Sequence, residues 1–125
     1  MRILQVNKFH YFRGGAETYY LKISEKLKRA GHQVANFSMN HPKNLDSKWN
    51  KYFTRELNFT HPKLKDKILA LGKIFYNLEA KRKFSKLVRD FQPDIIHCHN
   101  IYYHISPSIL TVARSKNIPV IMHLH

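Results

Sequence analysis

Residues 2–39, RILQVNKFHYFRGGAETYYLKISEKLKRAGHQVANFSM, decide the fold. Arg2 to Val6 is a short apolar run that stops at a polar loop, Asn7 to Gly15, as a buried parallel strand does. From Ala16 to Ala30 the residues Tyr20, Leu21, Ile23 and Leu27 recur at helical spacing, and Gly31 follows as a C-terminal stop. Val34 to Met39 then reads as a second strand. Strand, glycine turn, helix and strand in that order make a βαβ unit.

Working outward, Asn40 to Pro62 carries two prolines and no sustained period and reads as irregular, with Tyr52 to Phe59 compatible with one short strand. Leu64, Ile68, Leu71, Phe75 and Leu78, then Phe84, Leu87, Val88 and Phe91, place apolar side chains along one side of a long helix that Pro93 brings to an end. The simplest role for that stripe is a core face. Asp94 to His99 (DIIHCH) is a third strand, Pro107 to Lys116 a helix, and Ile118 to Leu124 (IPVIMHL) a further buried strand. Strands alternating with helices predict an α/β fold, a Rossmann-like parallel sheet with helices on both faces. The first strand should be central and the last at or near an edge. The sequence stops at His125 beside that last strand, so the sheet reads as incomplete at the C-terminus.

A chain of 125 residues is one domain at most. With 43% hydrophobic residues it can bury a core, and its single cysteine excludes the small secreted frameworks held by disulfides, pointing to a reducing compartment. No apolar run is long enough to span a bilayer, and the start lacks the apolar segment and cleavage site of a signal peptide. The expected location is cytoplasmic, either free or peripheral at the inner face of the membrane. The 22 Lys+Arg against 8 Asp+Glu leave a net charge of +14, and the segment from Pro42 to Phe91 alone holds 13 Lys+Arg against 5 Asp+Glu. That excess predicts an anionic partner, with an anionic membrane, a nucleotide sugar and a nucleic acid all compatible.

Ligands of open α/β sheets collect at the carboxyl ends of the strands. Three features fall there. In Arg13-Gly14-Gly15-Ala16-Glu17 two glycines stand just before a helix whose first N–H groups can receive a phosphate. It is neither GxGxxG nor a P-loop, and a tight turn alone would also explain it. The other two features are the pairs His97-Cys98-His99 and His123-Leu124-His125. Alternation sets both histidines of a pair on one face, where two pairs together could bind a metal for hydrolysis, or single histidines could act by hydrogen bond or proton transfer. The only acidic residue near them is Asp94, early in its strand, which argues against the metal. Cys98 should face the opposite way, into the core. Nothing beyond charge and tyrosines supports a nucleic-acid module.

Together, RILQV, the RGGAE loop and its helix, AGHQV before the second strand, PDIIHCHN and IPVIMHLH resemble the N-terminal half of a family 4 glycosyltransferase. Members of that family have the GT-B arrangement, two Rossmann-like domains facing across a cleft, the C-terminal one holding most of the nucleotide-sugar site and the N-terminal one mainly the acceptor. The resemblance implies that residues 1–125 are a truncated N-terminal domain, with the C-terminal donor-binding domain absent and little activity alone. It implies a retaining transfer of sugar from a nucleotide-sugar donor to a glycan or lipid-linked acceptor in polysaccharide biosynthesis, with no cofactor, no metal and no nucleic acid. Carried over residue by residue, Gly14 and Gly15 lie in the donor-phosphate loop, and His125 contacts the transferred sugar as the catalytic histidine. Arg13, His99 and Asn100 are acceptor-side or structural candidates. The family's acidic E-x7-E donor motif has no counterpart here; Glu17 and Glu25 have that spacing but lie in the first helix.

Overall fold

A computed structural model describes residues 1–55, 65–101 and 106–123, with side chains in the second helix taken from residue 78 and in the third from residue 108. Its elements run β1 (Arg2–Val6), α1 (Gly15–Arg29), β2 (Gln33–Phe37), a single 3-10 turn (Asn50–Tyr52), α2 (Lys65–Phe91), β3 (Ile95–Cys98), α3 (Ser106–Ser115) and β4 (Val120–Met122). The four strands form one sheet in the order β2-β1-β3-β4, and every pairing is parallel. β1 is therefore interior and β4 lies at an edge, as the alternation of elements predicts.

The three helices end in one way. Each is followed by a residue with positive φ: Gly31 (95°), Gln92 (53°) and Asn117 (55°). After α1 the Gly31 and His32 N–H groups donate back to the Lys28 and Leu27 carbonyls, and after α3 those of Asn117 and Ile118 donate to Arg114 and Ala113. This is the double bond of a Schellman cap. At Gln92 one bond to the Val88 carbonyl is made before Pro93, which has no N–H to add a second.

The sheet has two unlike faces. Leu4, Val6, Ala35, Phe37, Ile96 and Cys98 point to one side and form the main core with Phe84, Leu87, Val88 and Phe91 of α2 and Ile109, Val112 and Ala113 of α3. Phe84 and Phe37 meet edge to face at 5.1 Å, a favoured aromatic geometry. The predicted apolar stripe of α2 is a core face from Ala80 onward, whereas Leu78 is 62% exposed; Leu64 lies outside the described residues, as do the side chains of Ile68, Leu71 and Phe75. The other face, under α1, starts with buried Ile3 and Val34 and turns polar toward the carboxyl ends of the strands. Gln5, Asn7, Ser24, Asn36 and His99 are all buried there. They survive burial because each is hydrogen-bonded: Asn36 Nδ2, for example, donates to the Tyr20 hydroxyl (3.0 Å), and the hydroxyl of Tyr20 lies 2.9 Å from His10 Nδ1.

Between β2 and α2 the expected irregular stretch holds one regular feature, the turn at Asn50–Tyr52. Thr54, within the piece compatible with a strand, makes an isolated parallel bridge with Met39; residues 56–64 lie outside the described set.

Candidate strand-end site

Parallel pairing sends the carboxyl ends of all four strands to one end of the sheet. Register decides what meets there. Gln5 stands beside Asn36 on one side and His97 on the other. The ladder continues past the strands: the His99 N–H donates to the Val6 carbonyl (2.9 Å), Lys8 N–H to Asn100 (2.8 Å) and His123 N–H to Cys98 (2.8 Å). The loops after β1, β3 and β4 are thus tied at their roots.

Asn7 is the junction of this end. Its side-chain oxygen accepts from the Asn100 N–H at 3.0 Å, and its Nδ2 donates to the Phe9 carbonyl at 2.8 Å and to Glu17 Oε2 at 3.4 Å. Glu17, buried in the first turn of α1, sets a carboxylate near the positive end of the helix, a favourable placement. Gly14 is the N-cap, in extended backbone and without a side-chain capping bond. The first N–H groups of α1 have no intrahelical partner by helix geometry. A Cβ built on Gly15 would meet nothing within 4 Å, and one on Gly14 would make only ordinary contact with Glu17 Oε1 at 3.8 Å. Neither glycine is demanded by packing among the described residues, and a side chain at Gly15 would meet none of them.

Arg13 lies exposed beside this turn with its guanidinium 4.3 Å from the Phe9 ring centroid, a cation–π contact, and Lys8 approaches the same ring at 5.1 Å. Burial and the neighbouring Arg13 charge hold the Lys8 amine below its ordinary pKa, with Glu17 opposing them. Tyr11 stacks on His41 at 4.6 Å.

The histidines gather on the α1 face. His97 and His99 have ring centroids 4.2 Å apart, and His123 lies 6.0 and 5.9 Å from them and 4.6 Å from Tyr19 of α1. Alternation had set His97 and His99 on one face with Cys98 opposite, and so they stand. Burial pushes the Cys98 thiol up to about 12, the signature of an inert core cysteine. The three rings do not make a metal centre: among the described residues no group of three or more His, Cys, Asp or Glu side chains is placed to hold an ion. His99 Nε2 and His97 Nδ1 face instead the amide of Gln5. His125 lies outside the described residues.

Sequence reasoning brought Arg13, Gly14, Gly15, His99 and Asn100 to this end and missed Gln5, Asn7, Glu17 and Tyr19. Of these only Glu17 carried a signal, an acid in the first helical turn of a chain with eight acids. A hollow of about 1210 Å³ lies elsewhere, between α1 and residues 45–49 along the edge of β2. No described helix is long and apolar enough to cross a membrane.

The sequence profile described as Glycosyltransferase Family 4 matches residues 13–125. No curated protein sequence matches the chain. Among solved structures, a C-terminal domain of a hydrogenase from Pyrococcus furiosus superposes with a TM-score of 0.62 at 15% identity, covering 98% of this chain and 90% of that one. The Streptomyces sp. SF2575 glycosyltransferase SsfS6 superposes at 0.53 with 20% identity over 99% of this chain and 39% of its own; its complex with thymidine diphosphate gives 0.58, 17%, 99% and 38%. At these identities the superpositions show a shared fold. The chain spans less than two fifths of the length of SsfS6.

Proposed function

The chain belongs to glycosyltransferase family 4, and from that premise we propose that it is the N-terminal, acceptor-side domain of an enzyme that moves a sugar from a nucleotide-sugar donor to a glycan or lipid-linked acceptor. The observation that carries this reading is the glycine turn at the start of α1, where a Gly15 side chain would meet none of the described residues. Two glycines stand where the fold needs no glycine, at a helix start with uncapped N–H groups, at the end of the sheet where such folds bind ligands. A diphosphate seated there would receive backbone N–H bonds and the helix dipole, which stabilise the charge that grows on the leaving nucleotide.

The donor's remaining contacts belong in this reading to a second Rossmann-like domain across the cleft, which makes the strand-end site a half-site here. The thymidine diphosphate held by SsfS6 supports a nucleoside diphosphate as the donor's leaving group. His125, assigned through the family resemblance, would hydrogen-bond the sugar and hold it for attack by the acceptor hydroxyl, with retention of configuration. Positioning is its main contribution. Lys81, Arg82, Lys86 and Arg89 are exposed on α2 opposite its buried Phe84, Leu87 and Val88, a basic surface suited to the anionic membrane that carries a lipid-linked acceptor.

The test is transfer of labelled sugar from a panel of nucleotide sugars by this chain joined to its donor-binding domain, beside the chain alone. Transfer by the joined protein and none by the chain alone is expected. No transfer from any donor, with nucleoside diphosphates failing to bind the joined protein, overturns the reading.

A further inference from the structure

The amide of Gln5 sits between two histidines of the strand-end cluster. Gln5 is wholly buried and His99 is 1% exposed. Gln5 Oε1 lies 2.6 Å from His99 Nε2, and Gln5 Nε2 lies 3.2 Å from His97 Nδ1. The contact follows from register, since Gln5 is the direct cross-strand partner of His97 and His99 is the next residue of the same face.

A primary amide has one end that only accepts and one that only donates, and a neutral imidazole has one N–H and one bare nitrogen. The oxygen requires a proton on His99 Nε2. The amide nitrogen requires a bare His97 Nδ1, which leaves the proton of neutral His97 on Nε2. Turning the amide over exchanges the two roles but keeps them opposite. No arrangement lets both facing nitrogens carry protons, or both be bare, without setting donor against donor or acceptor against acceptor around a wholly buried amide.

We propose that Gln5 is a positioning residue that locks His97 and His99 in opposite proton roles and thereby fixes the ring cluster at the strand ends. Whichever way the amide lies, one of the two rings faces Gln5 with its proton and the other with its lone pair. The orientation passes on by ring contact, since His123 stacks on His99 at 26° between planes and packs on Tyr19. His123 stands two residues before His125 in the sequence. The proton roles are a property of the chain itself; what the fixed rings serve rests on the transferase reading.

The experiment is long-range proton–nitrogen correlation on the complete chain labelled with ¹⁵N-histidine, at slightly alkaline pH, with signals assigned by single His→Asn variants. In the wild type, one of the two nitrogens facing Gln5 should be protonated and the other bare. Both protonated or both bare overturns the proposal. Gln5→Glu replaces the donor end by a second acceptor, so both His97 Nδ1 and His99 Nε2 should then carry protons; a bare His97 Nδ1 in that variant also overturns it. If the variant does not fold, the wild-type spectrum alone decides. The spectrum needs neither donor nor acceptor, so it stands or falls apart from sugar transfer. In the joined enzyme, Gln5→Leu should lower kcat at least tenfold while the affinity for nucleoside diphosphate stays within twofold, and an unchanged kcat would refute the positioning role.

Discussion

Gly15→Val separates what the fold needs from what a ligand needs. A Cβ at Gly15 meets nothing within 4 Å, and its φ is not in the left-handed region, so the protein itself has no steric objection to a side chain there. Valine is a slightly better helix residue than glycine, by a few tenths of a kcal/mol (roughly 0.4) in a helix interior and less in the first turn. Unfolding by calorimetry should therefore show Tm unchanged or raised by about 1–2 °C. The same isopropyl group would stand in the space from which a diphosphate must approach the N–H groups of α1. Hydrogen bonds to a charged group contribute about 1.5–3 kcal/mol each. Loss of two such bonds weakens binding by about 3 kcal/mol or more, on the order of a hundredfold. Titration calorimetry of the joined enzyme with nucleoside diphosphates reads that loss directly. Unaltered affinity in a variant of unaltered Tm would refute the assignment of the Gly14–Gly15 turn as the phosphate seat. A Tm lowered by more than about 5 °C would instead refute the statement that Gly15 faces open space.

Three further outcomes are expected. Burial, helped by the Lys28 charge, holds His10 neutral with its pKa lowered from 6.5 to about 4; the unfolded chain takes up the proton first, so this stability is fully present above about pH 6.5 and is lost as pH falls toward 4. Its size is on the order of 3 kcal/mol, and His10→Gln should flatten the acid limb of a urea-denaturation series between pH 7 and 4, whereas an unchanged limb contradicts it. Cys98, buried with its thiol held protonated, should react with a thiol reagent only at the rate of unfolding, and prompt labelling of the folded protein would show that it does not face the core. Vesicles rich in anionic lipid should float the protein in a salt-dependent manner, more weakly once Lys81, Arg82, Lys86 and Arg89 are changed to Glu; nucleic acid binding without lipid preference would favour the rival assignment of the basic surface.

The strands and helix ends were legible because each carries its own local chemistry. Ile3, Leu4 and Val6 of RILQV form a short apolar run bounded by a polar loop, and β1 occupies those five residues. Gly31 and Pro93 mark helix ends in the sequence as they do in the fold, and Asn117, a residue type that also tolerates the left-handed conformation, ends the third helix. The polar sheet face was not legible. Alternation assigns apolar residues inward, and on this face Gln5 and His99 are inward bonded to each other and Asn36 is inward bonded to Tyr20 and Ser24. Such partners stand far apart in sequence: Gln5 and His99 by 94 positions, Asn7 and Asn100 by 93. No local pattern announces a bond of that kind, so the glycine turn and the histidine pairs could be read while the amides that hold them together could not. Leu78 illustrates the opposite failure, a leucine in phase with the core stripe but exposed.

The central claim is that this domain supplies one wall of a sugar-transfer site, and His125→Ala in the enzyme joined to its donor-binding domain tests it most directly. The measured quantity is the rate of labelled sugar transfer from the nucleotide sugar to acceptor, alongside nucleoside diphosphate affinity and Tm. The account predicts loss of transfer with both of the latter retained. Full transfer by a folded His125→Ala enzyme would contradict it.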